Sequence, residues 1–122
     1  MIEFIDNLPD EILKKGIRVN IGFPVYIFYA EDMLEILNLL KKNNLAVNCG
    51  SVFIKTDNGI YHYNQNDWYM DLGDYIGYNG YMEKSIQYVI NYINSHLNIP
   101  NLMYCVLEMD KQMYEKNIKM KA

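Results

Sequence analysis

The chain has 122 residues, 51% of them apolar and 21% charged, and a net charge of −4. That size suits a single domain, residues 1–122, whose core needs neither metal nor disulfide. A negative chain with Arg18 as its only arginine excludes direct nucleic-acid binding, because phosphate contacts draw on Lys and Arg.

The start, Met1 to Asp6, lacks the basic residues and long apolar run of a signal peptide. Leu8-Pro9-Asp10-Glu11-Ile12-Leu13-Lys14-Lys15-Gly16 predicts a short helix, with Pro9 at its first position, acids in the first turn, lysines in the last and Gly16 as the stop. Residues 17–29 are apolar and β-branched but broken by Gly22 and Pro24, which predicts one or two short strands with Pro24 at an edge or bulge. From Ala30 to Asn43 a helix is expected, with Met33, Ile36, Leu37 and Leu40 on its buried face.

Ala46 to Lys55 reads as a strand, bulged at Cys49-Gly50, and Asp57-Asn58-Gly59 is hairpin-turn chemistry. Ile60 to Tyr63 would return, Asn64 to Asp67 would turn again, and Trp68 to Met70 would form a further short strand. Gly73, Gly77 and Gly80 then mark a loop. The longest helix is expected from Gly80 or Tyr81 to Leu97, capped by Asn79, with Met82, Ile86, Val89, Ile90, Ile93 and Leu97 as its core stripe. Leu102 to Met109 reads as the last strand, and the lysine-rich tail, about 111–122, as a frayed or helical end. The fold class is therefore α+β: a mixed or antiparallel sheet with two main helices packed on it and a short N-terminal helix. No stretch approaches the roughly 18 apolar residues of a membrane span, so no membrane association and a cytoplasmic location are expected.

Chemistry is thinly represented. His62 and His96 are the only histidines, and neither stands in a catalytic motif. Cys49 and Cys105 are too few and too far apart for a disulfide framework or a metal motif, and each reads as a small core hydrophobe. A Cys–His pair between either thiol and His62 would need the fold to assemble it. Asp71 and Asp74 near Gly73 lack the calcium-loop pattern and read as turn formers. No catalytic residue, metal or cofactor is assigned, and the chain is read as not an enzyme.

The distinctive segment runs from residue 56 to residue 83. It contains no lysine or arginine, yet holds Asp57, Asp67, Asp71, Asp74 and Glu83 among Tyr61, Tyr63, Trp68, Tyr69, Tyr75, Tyr78 and Tyr81. Carboxylates interleaved with aromatics suit the docking of a basic protein: the charges steer it, and Tyr and Trp supply area with little rotamer entropy to lose. Asp67, Trp68, Tyr69, Asp71, Asp74 and Tyr75 are the predicted partner-binding residues. Trp68 reads equally as a partly buried sheet aromatic or as an interface anchor. The competing function is a small-molecule or regulatory binding domain whose aromatic loop lines a pocket.

Several segments resemble bacterial immunity proteins of the immunity protein 40 family. They are Leu8 to Ile17, Leu45-Ala46-Val47-Asn48-Cys49-Gly50-Ser51-Val52-Phe53, Asn66-Asp67-Trp68-Tyr69-Met70-Asp71, and the serine-bearing helix from Tyr81 through Ser85 to Ile93. The resemblance spans roughly residues 8 to 95. It implies a non-catalytic cytosolic antidote to a cognate toxin from a polymorphic or contact-dependent system. Many such toxins are nucleases with basic clefts, which an acidic, aromatic surface would fit.

Overall fold

The computed structural model describes residues 8–69 and 77–121, with side chains for 8–63 and 77–117. Helix α1 (Asp10–Leu13) leads into strands β1 (Ile17–Asn20) and β2 (Pro24–Tyr29). Helix α2 (Ala30–Lys42) is followed by the long hairpin β3 (Ala46–Thr56) and β4 (Gly59–Tyr69). Helix α3 (Gly77–Ser95), strand β5 (Leu102–Met109) and helix α4 (Lys111–Lys121) complete the order. The architecture is α+β, as predicted. The sheet is antiparallel throughout its described pairings, in the order β1-β2-β5-β3-β4. β2 meets β5 through only two registered pairs, Phe28–Tyr104 and Tyr29–Met103, so the β1–β2 hairpin curls away from the main sheet.

α2 and α3 contact each other, and both pack on the sheet. The α2 stripe of Met33, Ile36, Leu37 and Leu40 is fully buried, as its spacing predicts. On α3, Met82, Ile86, Val89 and Ile93 are buried, but Leu97 lies beyond the helix and is 61% exposed. Buried Leu102, Tyr104 and Val106 of β5 complete this core.

Three α3 side chains satisfy the backbone at the start of β3, where register with β5 shifts between Val47 and Cys49. Tyr78 Oη accepts the Ala46 N–H at 3.0 Å and lies 2.6 Å from the Asn44 carbonyl and 2.7 Å from that of Met109. Ser85 Oγ accepts the Val47 N–H at 3.0 Å and donates to the Met82 carbonyl at 3.1 Å. Tyr81 Oη donates to the Val47 carbonyl at 2.9 Å. Buried backbone groups need partners, and a bulge leaves some without a ladder neighbour. Tyr114 of α4 closes the cluster, stacked on Tyr81 at 5.1 Å and edge-on to Tyr78 at 5.6 Å.

Four local expectations are corrected. The predicted turn at Asn64 to Asp67 is replaced by strand, since β4 spans Gly59–Tyr69, but the ladder to β3 is interrupted there: His62 pairs with Phe53 and Asp67 with Ser51, and residues 63–66 form an irregularity between the two paired arms. α3 starts at Gly77 rather than Gly80 or Tyr81, which puts Asn79 inside the first turn instead of at the cap. Gly77, at φ +78°, turns the chain into that helix. The bulge on β3 falls at Asn48, one residue before Cys49-Gly50. The hairpin is as predicted: Asp57-Asn58 joins the strands, with Gly59 at φ +139°.

Candidate partner-binding surface

β4 ends the sheet order, so half of the predicted binding residues fall on an edge strand. Asp67, Trp68 and Tyr69 pair through their backbones with Ser51, Gly50 and Cys49 of β3. Asp71, Asp74 and Tyr75 lie outside the described residues, in the stretch of chain between β4 and α3. α3, which follows that stretch, is anchored in its first turn by Tyr78.

Beside β4 stands an aromatic group that draws on two elements. Tyr61 is 53% exposed and donates its hydroxyl to the Asn58 carbonyl at 3.1 Å, folding back over the hairpin turn. Tyr63 is half-buried, and Tyr88 of α3 is 43% exposed. Tyr92 stacks on His96 at 4.1 Å and meets buried Tyr104 edge-on at 6.2 Å. Burial, and then the neighbouring Tyr63 and Tyr88, push the Tyr92 phenol above its usual 10.0. Burial, followed by Tyr92 and Tyr63, pushes Tyr104 up to about 12. Tyr63 of β4 and Tyr88 and Tyr92 of α3 thus share one environment. The sequence reading missed the α3 contribution, although the spacing of Tyr88 and Tyr92, four apart on one helix face, was available to it.

The charge pattern also changes in three dimensions. Glu83, unopposed within its own segment, lies 3.3 Å from Lys41 of α2. Both side chains are more than half exposed, so the pair adds little stability. Asp57 remains at the exposed hairpin turn.

The fold gathers Cys49, Ser51, His62 and Cys105 around one cavity of about 230 Å³, closed by Ile21, Phe23 and Leu107. Cys105 is 3% exposed and Cys49 is half-buried. His62 is exposed and stacked on Phe53 at 4.6 Å. This cavity also includes Gly50, the register partner of Trp68, but it falls below the roughly 300–1,000 Å³ of ordinary ligand pockets. A larger groove of about 440 Å³, around Tyr29, His96 and Pro100, includes none of Cys49, Gly50 or Ser51. His96 uses its Nδ1–H to donate to the Tyr92 carbonyl at 2.8 Å, which closes the end of α3. Among the described residues no group of three His, Cys, Asp or Glu is placed to hold a metal ion.

Comparison with known protein families decides the class. The model of immunity protein 40 matches residues 19–108, from within β1 to within β5. The chain belongs to the immunity protein 40 family. The matched span takes in α2, the β3–β4 hairpin and α3, and therefore Asp67 to Tyr75. No curated protein and no solved structure matches the chain. An immunity protein has a cognate toxin as its partner, so membership of this family makes the chain a toxin-immunity protein. Among its described residues no helix is long and apolar enough to cross a membrane.

Proposed function

We propose that this chain is a non-catalytic inhibitor that binds a basic toxin domain in the cytoplasm and occludes its working cleft. Family membership carries the immunity role. The edge position of β4 supports the choice of surface, because an outer strand is accessible to a partner as an inner strand is not. In this reading Asp67, Asp71 and Asp74 pair with toxin cations, while Trp68, Tyr69 and Tyr75 supply the desolvated area around them. A nuclease cleft, built to hold phosphates, has the matching charge. Charge pairs desolvated at an interface can each couple by roughly 2–7 kcal/mol.

The test is co-expression with a candidate toxin domain sought among the products of the neighbouring genes. The expected results are a co-purifying complex, weaker binding for Asp71→Lys and faster dissociation for Trp68→Ala. Unchanged affinity in both variants would reject this surface while leaving the immunity role, and a toxin that neither binds nor is inhibited would reject the role itself.

A further inference from the structure

We infer that the Gly59–Tyr63 arm of β4 is a strand-addition site, at which an extended cationic segment of the toxin continues the sheet beyond β4. The inference rests on the toxin-binding reading and specifies how that partner docks.

The two edges of the sheet are built differently. β1 has four residues and carries an exposed arginine, Arg18, whose guanidinium lies 5.8 Å from the Tyr26 ring centroid. Short length and an outward cation are common ways to keep a sheet edge from recruiting another chain. β4 has 11 residues, Gly-Ile-Tyr-His-Tyr-Asn-Gln-Asn-Asp-Trp-Tyr, without lysine, arginine or proline. Its register with β3 is regular over Gly59–His62, before the shift that lies opposite Ser51 to Phe53. That arm is therefore flat enough to template a neighbour, and a strand presents half of its backbone groups to each side.

Side chains reinforce the choice. Tyr61 is 53% exposed on this arm, and Tyr63 is half-buried where it neighbours Tyr92 of α3. Tyr61 and Tyr63 lie two apart on β4 and so share one face of the arm, on which an added strand would lay alternate side chains. Tyr faces attract lysine and guanidinium groups. Lys55 stands one strand inward, opposite Ile60, while exposed Asp57 flanks the arm at the hairpin turn and Asp67 lies further along β4. The chain from residue 56 to residue 83 carries no lysine or arginine, and of its acids among the described residues Glu83 is paired, with Lys41. A second copy would set two such acid-bearing stretches against each other, so the fitting occupant is a cationic strand of another protein.

Amide hydrogen exchange on the full chain, free and bound to the co-purifying toxin domain, tests this directly. The expected result is slowed exchange across Gly59–Tyr63 in the complex, with Tyr61→Lys weakening binding about tenfold or more through like charge at the edge. Neutralisation without any change in β4 exchange would overturn strand addition and leave the immunity role intact. Loss of both binding and neutralisation in the wild-type chain would overturn both. Protection of β4 that rises with concentration in the free chain would assign the edge to a second copy instead, and would also overturn the inference.

Discussion

Tyr78→Phe isolates a single buried hydroxyl. Phenylalanine keeps the ring, its burial and its edge contact with Tyr114, so the apolar terms are nearly unchanged. What disappears is an acceptor for the Ala46 N–H at 3.0 Å and a donor to one of two carbonyls, Asn44 or Met109, at 2.6 and 2.7 Å. One phenolic proton serves one carbonyl at a time, so the count is one donor and one acceptor left unsatisfied. A buried backbone group without its partner costs about 1–3 kcal/mol. With partial relaxation, about 2 kcal/mol is expected for the pair. For a chain of this length each kcal/mol lowers Tm by about 3–5 °C, which gives a fall of about 6–10 °C. Thermal unfolding followed by circular dichroism measures it, with urea titration as a check that the m-value is unchanged. Tyr61→Phe is the control: its hydroxyl bonds in an exposed turn, and a change within about 0.5 kcal/mol is expected. If the two variants melt together, the view that α3 holds the start of β3 through buried hydroxyls is wrong.

Alkaline pH should unfold the protein through its buried tyrosines. Tyr104 is held up to about 12 against 10.0 in the unfolded chain, and Tyr78 and Tyr92 are shifted the same way by burial. The folded state keeps protons that the unfolded state releases, so stability is full below pH 10 and falls as pH rises towards 12. Denaturation monitored by tyrosinate absorbance should flatten over that interval in Tyr104→Phe; an unchanged profile would contradict the assignment. Gly16→Ala would set its new carbon 2.5 Å from the Phe28 ring, which is fully buried. A loss of about 1–3 kcal/mol is expected, partly recovered in the double variant with Phe28→Leu, and equal stability of Gly16→Ala and wild type would refute the clash. Thiol titration of the native protein should modify half-buried Cys49 slowly and leave Cys105 protected until unfolding; fast reaction of Cys105 would mean that the sheet face around it opens.

Helix α2 was legible because four apolar residues at helical spacing face one core, and the structure buries all four. The β3–β4 turn was legible because Gly59 supplies, at φ +139°, a backbone conformation that other residues rarely adopt. β4 beyond Tyr63 was not: Asn64-Gln65-Asn66-Asp67 favours a turn locally, and what the structure places there is an irregularity inside a longer strand, whose pairing with β3 resumes at Asp67, Trp68 and Tyr69. The start of α3 was misplaced for a related reason. Gly80 weakens a helix by about 1 kcal/mol, and burial of Tyr78 and Tyr81 offsets that cost through contacts remote in sequence.

Composition and pattern alone set the α+β class, the two amphipathic helices and the resemblance that the family match bears out, since each depends on residues near one another in the chain. Tertiary structure decided which strand lies at the edge, that Lys41 opposes Glu83, that Tyr63, Tyr88 and Tyr92 share one face, and that both thiols and His62 line one cavity. Those outcomes depend on sheet order and strand register, which are chosen by burying the whole core at once and leave no mark in any local window.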